Sequence, residues 1–394
     1  MTSAPAEPIR LKEGRFARLE AIEWWDPSLI RNARILVVGA GALGNEIIKN
    51  FALLGVGHVA VVDMDRVELS NLCRSVLFRE SDEGSPKAEC AARAATGIYP
   101  EMDIRPIVGN VMADVGLGWF RWAQVVVAAL DNREARVFVN SSCARVGRPW
   151  IDGGIDVLSG IVRGFHPPST ACYECTMSEV DWQLLNKRRS CSLLARRAIE
   201  NRGTPTTPTT ASIVGAIQAQ EAIKLLHGMD PLLGRGFVFE GAGHNSYAVS
   251  YSVNPDCGWH DAPGEVVALP DFRSDTLLRK IWEEAGRRLG GLDALDLVRE
   301  LVERMDCPAC GTGEPVFRSL EKVHEDEALC PGCGKERVPR FIHSITEGSQ
   351  LLGRSAQQVG LPSWDIVMAR RGERVLAFEL AGDNPYEKTV ETTR

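Results

Sequence analysis

The sequence predicts an α/β protein: a Rossmann-like, doubly wound sheet followed by a smaller C-terminal α+β unit of zinc-ribbon type. Three observations support this fold class. Residues 31–65 have the pattern of a strand, a glycine-rich turn, a helix and a second strand. A later apolar run, Val125–Leu130, ends in the polar pair Asp131 and Asn132, as strands do at the ligand edge of a doubly wound sheet. Two Cys-x-x-Cys pairs then lie in the last quarter of the chain.

Length and composition limit the class of protein. The 394 residues are enough for two or three domains. Asp and Glu number 52 against 45 Lys and Arg, and the resulting net charge of −7 argues against a dedicated nucleic-acid binder. No apolar stretch is long enough to cross a membrane, and the N-terminus lacks the apolar core of a secretory leader. We therefore expect a folded cytoplasmic protein whose 11 cysteines stay reduced.

The clearest local pattern is a nucleotide-binding βαβ unit. A predicted strand over Ile35–Val38 runs into three glycines at the G-x-G-x-x-G spacing, which lets backbone N–H groups approach a phosphate. These glycines are Gly39, Gly41 and Gly44. The next predicted strand, Val59–Val62, ends at Asp63, where a carboxylate can accept ribose hydroxyls. These features alone would also suit an NAD-dependent oxidoreductase, although no pair of residues for handling a hydride is evident.

Polar and charged residues follow these strands in a pattern unlike that of a dehydrogenase. They are Asp65, Asn71, Arg74, Lys87, Asp131 and Asn132. Such residues suit the attack of a carboxylate on the α-phosphate of ATP, because the protein needs only to align both substrates and neutralise phosphoryl charge. Arg74 and Lys87 would stabilise that charge, and Asp131 would hold Mg²⁺. The alternative is that the cations are solvated surface groups and that Asp131 caps a helix.

Two further patterns lie in the second half of this domain. The segment TPTTPTT at 204–210 predicts irregular structure. After it, Ala219, Ala222, Ile223 and Leu226 recur at helical spacing. We expect a buried helix that ends just before Gly228, a plausible C-cap.

Several motifs, in this order, carry a resemblance to a known family. GAGALG, VVDMDRVELSNLCR, SPKA and ALDN resemble the adenylation domain of ubiquitin-activating enzymes and of their relatives, the adenylyltransferases of molybdopterin and thiamine biosynthesis. RFAR at 15–18, IVGAIQAQEAIKLL and NPDCGWH resemble the family's opening motif, a later helix and its second metal knuckle. The resemblance covers residues 15–260. It implies ATP and Mg²⁺ as cofactors, a homodimer, and a β-grasp protein substrate ending in Gly-Gly.

The resemblance also implies a role for individual residues. Asp63 would bind the ribose, and Asp131 would bind Mg²⁺. Asn71, Arg74 and Lys87 would bind the phosphates. Arg18 would reach into the ATP site of the partner subunit. Cys73 and Ser75 flank Arg74 at positions where the family usually has a polar residue and Gln.

Seven cysteines and one histidine have metal-ligand spacing and form two sets of four. Cys172, Cys175, Cys257 and His260 form a C-x-x-C and a C-x-x-H pair that suit tetrahedral zinc, with His260 in place of the family's usual cysteine. Cys307, Cys310, Cys330 and Cys333 form two knuckles separated by 19 residues, a strong zinc-ribbon pattern. We expect two structural zinc sites.

Cys191 is the best candidate for a nucleophile. Its neighbours Lys187, Arg188, Arg189, Arg196 and Arg197 would lower the pKa of its thiol and favour the thiolate. Its place before the IVGAIQAQEA motif matches the crossover loop where the family has its thioester cysteine. The alternative is that this loop is only a solvated basic segment.

The predicted organisation has three parts: residues 1–262 form the adenylation domain, 263–306 a helical connector, and 307–394 a zinc-ribbon and β-hairpin domain. The connector is predicted to be helical because apolar residues recur there at amphipathic spacing, namely Leu292, Leu295, Val298, Val302 and Met305. A hairpin with its turn at 371–373 is expected near the end.

The leading hypothesis is an activating enzyme that adenylates the C-terminal glycine of a ubiquitin-like protein, captures it on Cys191 as a thioester and passes it to a conjugating enzyme. The second is a sulfur-carrier-protein adenylyltransferase of the molybdopterin or thiamine type. A third, from another class, is a non-catalytic partner subunit. The complete set of Arg18, Arg74, Lys87 and Asp131 speaks against that third hypothesis.

Overall fold

A computed structural model describes residues 13–190, 205–261, 264–324 and 326–386, with the backbone alone at 186–190. The first unit is built on an eight-stranded sheet of order β3-β2-β1-β4-β5-β6-β7-β8. Its strands are β1 Arg34–Val38, β2 His58–Asp63, β3 Asp103–Val108, β4 Val125–Ala128, β5 Trp150–Ile155, β6 Ser159–Phe165, β7 Arg235–Glu240 and β8 Asn245–Ser250. Strands β1 to β5 pair in parallel, whereas β6, β7 and β8 extend the sheet as antiparallel strands. The doubly wound sheet is confirmed, and the antiparallel extension is a further feature.

Helices cover both faces of this sheet. They are α1 Ala17–Glu20, α2 Pro27–Arg31, α3 Ala42–Leu54, α4 Lys87–Ile98, α5 Val111–Asp114, α6 Leu117–Trp122, α7 Arg133–Val146, α8 Glu179–Ser190 and α9 Pro208–Leu226. Successive residues of β1 point to opposite faces. Ile35 and Val37 therefore pack in the core beneath α3, α4 and α9, whereas Leu36 and Val38 pack in the core beneath α6 and α7. No helix of the described residues is long and apolar enough to span a membrane.

The helix predicted from Ala219, Ala222 and Ile223 is confirmed as part of α9, but it begins earlier than the sequence suggested. Pro208, within TPTTPTT, is the first helical residue. Thr207 is the N-cap and accepts a hydrogen bond from the backbone N–H of Thr210 at 3.3 Å. A proline is tolerated there because its missing N–H has no partner in the first turn of a helix. The prediction of irregular structure is therefore wrong for 208–210.

The second unit contains a six-stranded sheet. Its strands are β9 Val266–Ala268, β10 Ala294–Asp306, β11 Gly313–Ser319, β12 Val338–Thr346, β13 Ile366–Arg371 and β14 Arg374–Glu379. The sheet order is β11-β10-β13-β14-β9, and β12 also pairs with β10. Helix α10, Leu278–Leu289, buries Ile281 and Ala285 against this sheet. The predicted hairpin with its turn at 371–373 is confirmed by β13 and β14.

The helix predicted over Leu292–Met305 is wrong, because residues 294–305 lie in strand β10. Its pairing with β11 and β12 is interrupted by register shifts, between Asp296 and Leu301 and again between Val302 and Arg304. The shifts break the strict alternation of buried and exposed positions, so the apolar residues mimic helical spacing. The predicted connector, residues 263–306, is therefore only partly helical: its described residues contain strand β9, helix α10 and strand β10. The outer domain boundaries remain predictions.

Candidate active site

A cavity of about 730 Å³ opens at the carboxyl ends of β1, β2 and β4. This is the edge at which doubly wound sheets bind ligands. Eight residues predicted from the sequence line it together: Gly39, Gly41, Asp63, Asp65, Arg74, Lys87, Asp131 and Asn132. These residues come from several separate segments of the chain, and the fold brings them together around one cavity.

The glycines shape the turn between β1 and α3. Gly39 has a φ of +99°, and a Cβ there would lie 2.3 Å from the carbonyl oxygen of Ala129. A Cβ on Gly44 would lie 2.0 Å from the carbonyl oxygen of Gly39. At Gly41, the N-cap of α3, no heavy atom lies within 4 Å of a Cβ position. Two glycines thus allow close packing, and Gly41 leaves open space beside a helix N-terminus, where a phosphate is favoured.

Asp63 closes the end of β2. Its Oδ2 accepts a hydrogen bond from the backbone N–H of Ala40 at 2.7 Å, and its Oδ1 accepts one from the N–H of Asp65 at 2.8 Å. Burial raises the pKa of Asp63, and these two hydrogen bonds act in the opposite direction. Each carboxylate oxygen can accept a second hydrogen bond, so Asp63 can still receive the hydroxyls of a ribose.

Two cations face the cavity from neighbouring segments. The Nζ of Lys87, at the start of α4, donates to Oδ2 of Asp65 at 2.8 Å. The guanidinium of Arg74 donates to the carbonyl oxygen of Ser70 at 2.9 Å. Both side chains line the cavity, so their positive charge faces the same space as the carboxylate of Asp131.

Asn71 does not line the cavity. Its Oδ1 accepts from the backbone N–H of Glu68 at 3.1 Å within a one-turn 3-10 helix, Leu69–Asn71. Asn45, which no sequence pattern indicated as part of the site, is fully buried. Asn45 donates to the carbonyl oxygen of Ala40 at 2.7 Å and accepts from the N–H of Leu77 at 2.8 Å, which ties the glycine turn to the segment carrying Arg74.

Asp131 and Asn132 have different roles at the start of α7. Asn132 is the N-cap, and its Oδ1 accepts from the backbone N–H of Ala135 at 2.8 Å. Asp131 is exposed, lines the cavity and accepts from the Nδ2 of Asn132 at 3.3 Å. The cap is therefore Asn132, and the carboxylate of Asp131 stands at the cavity with oxygen ligands of the type that Mg²⁺ prefers.

A second part of the cavity contains a buried charged cluster that the sequence reasoning also missed. Asp152, 0% exposed in β5, accepts from Nε of Arg136 at 2.8 Å and from Nε of Arg163 at 3.0 Å. Burial alone would lower the pKa of Arg163, but the charge of Asp152 raises it. Two guanidinium groups against one carboxylate leave a net positive charge at the wall. The signal was present in the sequence: an aspartate inside an apolar strand needs a partner.

Two predicted catalytic residues, Arg18 and Cys191, are not among the described residues that line this cavity. Arg18 is exposed on α1 and does not line the cavity of its own subunit. Cys191 lies outside the described residues and directly follows α8. Asp181 of α8 lines the cavity and forms an ion pair with Arg133 at 3.0 Å. The helix before Cys191 therefore starts at the cavity wall.

The first predicted metal cluster is formed by two pairs of residues that lie 85 positions apart in the chain. The sulfur of Cys172 lies 3.6 Å from that of Cys257, and Nε2 of His260 lies 3.0 Å from the sulfur of Cys175. All four ligand atoms lie within 4.8 Å of one another. Tetrahedral zinc with Zn–S bonds of about 2.3 Å would separate its sulfur ligands by about 3.8 Å. The residues therefore fit a four-coordinate metal ion.

The second cluster has the same geometry in the second unit. The sulfur of Cys307 lies 3.6 Å from that of Cys333, and the sulfur of Cys310 lies 3.6 Å from that of Cys330. Cys307 and Cys330 are buried and the other two are exposed. All four sulfur atoms lie within 4.8 Å of one another, so this set too fits one metal ion.

Comparisons with known proteins agree with the resemblance drawn from the sequence. The chain matches the ThiF family over residues 19–258. It is 36% identical over 179 residues to the Nedd8-activating enzyme E1 catalytic subunit of Drosophila melanogaster, covering 42% of this chain and 39% of that protein. It is 34% identical over 233 residues to the SAMP-activating enzyme E1 of Haloferax volcanii, covering 57% and 79%.

A third relative has a different name, and one solved structure shares the fold. The chain is 30% identical over 234 residues to the sulfur carrier protein adenylyltransferase of Thermus thermophilus, covering 58% of this chain and 82% of that protein. The crystal structure of E. coli MccB with ATP matches with a TM-score of 0.52 at 21% identity, over 64% of this chain and 74% of that chain. This last likeness supports the fold alone.

Proposed function

The chain belongs to the ThiF family, and from that premise we propose that it uses ATP to adenylate the C-terminal glycine of a ubiquitin-like protein ending in Gly-Gly. A carboxylate oxygen of that glycine attacks the α-phosphorus of ATP, the bond to the β-phosphate oxygen breaks, and pyrophosphate leaves. The product is an acyl-adenylate. The relatives named above are activating enzymes and an adenylyltransferase, which supports this class of reaction.

The observation that carries the proposal is the convergence of Arg74, Lys87 and Asp131 on one cavity with Asp63 and the open glycine turn. Positioning and charge stabilisation dominate phosphoryl-type transfer, because the protein need not supply a nucleophile. Arg74 and Lys87 would offset negative charge on the phosphates and the leaving pyrophosphate. Asp63 would hold the ribose, and Asn71 would support the turn that presents Arg74.

The residues fit the nucleotide and its metal. The space beside Gly41 admits a phosphate, and Asp63 retains acceptor capacity for hydroxyls. Asp131 would hold Mg²⁺, whose charge would offset negative charge on the phosphates of the nucleotide. The carboxylate of the incoming glycine would approach from the part of the cavity lined by Arg136 and Arg163, where the wall carries net positive charge.

The second proposed step is capture of the acyl group by Cys191. Its thiolate sulfur attacks the carbonyl carbon of the acyl-adenylate, AMP leaves, and a thioester forms before transfer to a conjugating enzyme. Two features support this step. Helix α8 begins at the cavity wall through Asp181 and ends at Ser190, next to Cys191. The basic residues around Cys191 favour the thiolate.

We also propose a homodimer in which Arg18 completes the ATP site of the partner subunit. The exposed position of Arg18 on α1, outside its own cavity, supports this assignment. Both metal clusters are proposed to hold structural zinc, since four protein ligands close the coordination sphere in each. The second cluster would make residues 307–337 a zinc ribbon.

One alternative has a specific observation in its favour. Similarity to the Thermus sulfur carrier protein adenylyltransferase, over 82% of that protein, supports a sulfur-carrier adenylyltransferase of the molybdopterin or thiamine type. The first step would be the same. The acyl-adenylate would then be converted to a thiocarboxylate, and Cys191 would not be needed for a thioester to a conjugating enzyme.

The test of adenylation is ATP–pyrophosphate exchange with a panel of purified Gly-Gly-ended proteins. The matched control for each is the same protein without its last two residues. Exchange that requires the terminal glycines supports the proposal. Non-reducing gels then compare the wild type with Cys191→Ala, and Cys73→Ala serves as the control for an exposed cysteine beside the site. Exchange without a thiol-sensitive adduct would favour the sulfur-carrier alternative.

A further inference from the structure

One wall of the nucleotide cavity is held by residues of the second unit. This wall is the segment that leaves β3 and enters α5, and its cavity-lining residues are Gly109, Asn110, Val111 and Met112. Gly109 donates its N–H to the carbonyl oxygen of Asp63 at 3.1 Å, so the wall adjoins the proposed ribose site. The position of this segment therefore determines the width of the cavity beside Asp63.

Arg299 of β10 reaches across from the second unit to this segment. Its Nη1 donates to the carbonyl oxygen of Met112 at 2.8 Å, and its Nη2 donates to that of Val115 at 2.5 Å. The same guanidinium pairs with Asp365, through Nε at 2.9 Å and Nη2 at 3.1 Å. Asp365 in turn accepts from the backbone N–H of Leu117 at 2.8 Å. The backbone is thus held at three positions, Met112 in the wall itself and Val115 and Leu117 directly after it.

This ion pair is unusual in its burial. The Arg299 side chain is 1% exposed and that of Asp365 is 0% exposed. Burying two charges is costly unless both groups are well hydrogen-bonded. Here the backbone of the first unit supplies two carbonyl oxygens that accept from Arg299 and one N–H that donates to Asp365. The pair is therefore complete only when the wall is in place.

Two further contacts fix the same segment. Lys322, which follows β11, forms an ion pair with Asp114 of α5. The Oδ2 of Asp114 accepts from the backbone N–H of Asn110 at 2.9 Å, directly at the cavity wall. Close packing adds to this: a Cβ on Gly116 would lie 2.3 Å from the carbonyl oxygen of Ser363. The segment has little freedom to shift away from the second unit.

We propose that Arg299, Asp365 and Lys322 are positioning residues for the ATP site, and that the second unit thereby sets the affinity of the first unit for ATP. This inference rests on the proposed function in that it takes the nucleotide to be ATP. None of the three residues touches the cavity, so each acts through the wall. The second unit is then part of the nucleotide site as well as a separate fold.

The test uses the full chain and three variants. Arg299→Lys keeps the charge beside Asp365 but cannot serve Asp365, Met112 and Val115 together, because an ammonium lacks the planar fork of a guanidinium. Lys322→Ala removes an ion pair at a half-exposed position and should fold normally. Arg121→Ala is the matched control, because Arg121 also pairs across the two units, with Glu379, but does not hold the wall.

The readouts are the dissociation constant for ATP by calorimetry and the steady-state constants for pyrophosphate exchange. We expect the dissociation constant and the KM for ATP to rise about tenfold in Arg299→Lys and about threefold in Lys322→Ala. In all three variants kcat at saturating ATP should stay within about twofold of wild type, and Arg121→Ala should bind ATP as wild type does.

Unchanged ATP affinity in a folded Arg299→Lys would overturn the inference. If Arg299→Lys does not fold, the Lys322→Ala variant is the test. An unchanged affinity of Lys322→Ala for ATP would then overturn the inference. An equal loss in Arg121→Ala would also overturn it, because any break between the units would then have the same effect. Calorimetry separates this from failure of the proposed function: a wild type that binds ATP but shows no exchange refutes the adenylation step, while the binding comparison still stands.

Discussion

The Nζ atom of Lys87 lies 2.8 Å from Oδ2 of Asp65, and the lysine is the more buried partner, at 13% side-chain exposure against 54%. Asp65 follows β2 and Lys87 starts α4, so the pair joins the end of a strand to the start of a helix. The carboxylate of Asp65 holds the ammonium of Lys87 at the cavity wall. Bound phosphates would then share a cation that is already in position.

Lys87→Ala is expected to lower pyrophosphate exchange by a factor of about 10²–10³, because one preorganised cation is lost from the charged transition state. Lys49→Ala is the matched control, since Lys49 also pairs with a carboxylate, that of Glu46, on the neighbouring helix α3 but does not line the cavity. Initial exchange rates measure the effect. A Lys87→Ala enzyme with wild-type exchange would refute the role of this lysine.

Asp131→Ala should abolish exchange without changing the thermal midpoint by more than a few degrees, because Asn132 and not Asp131 caps α7. The response of the residual rate to Mg²⁺ concentration is the second measurement. Glu134→Ala, in the first turn of the same helix, is the control. Exchange that survives Asp131→Ala would overturn the metal assignment.

The zinc proposal predicts two equivalents of zinc per chain by elemental analysis. Cys330→Ser should leave one equivalent and lower the stability of the second unit, because metal binding contributes directly to folding. Cys73→Ser should retain both, since Cys73 belongs to neither cluster. A chain that folds normally with no bound metal would contradict the proposal.

Two glycines in helices should respond oppositely to alanine. At Gly118 in α6 a Cβ would lie 2.5 Å from ring atoms of the buried Trp364, so Gly118→Ala should destabilise by about 1–3 kcal/mol. At Gly97 in α4 no heavy atom lies within 4 Å, so Gly97→Ala should stabilise by about 0.5–1 kcal/mol. Urea denaturation measures both. Equal effects would mean that the contact between the units is not closely packed.

The cavity at the carboxyl ends of β1, β2 and β4 could be predicted largely from sequence because the features that form it are local. The glycine turn, Asp63 and Lys87 each occur where a strand ends or a helix begins, and the rules of a doubly wound sheet bring those points to one edge. The metal clusters could also be predicted, since the ligand spacing within each Cys-x-x-Cys or Cys-x-x-His pair is a local property of the sequence. The family resemblance was confirmed by the match over residues 19–258.

What the sequence did not predict depends on pairing between distant segments. Strand β10 has helical spacing because its register shifts at two places, and its partners β11, β12 and β13 all follow it in the chain. Arg299 and Asp365 are 66 residues apart, and the carbonyls that complete the pair lie more than 180 residues before Arg299. Periodicity within one segment carries no information on such contacts.

The reaction proposed for this protein is formation of an acyl-adenylate on the C-terminal glycine of a Gly-Gly-ended protein. The most direct measurement is mass spectrometry of such a protein after incubation with the Cys191→Ala enzyme, ATP and Mg²⁺, conditions under which the second step is blocked. We expect a mass increase of one adenylyl group on the protein substrate, with release of pyrophosphate. An unmodified substrate across the whole panel, with ATP converted to ADP and phosphate instead, would contradict it.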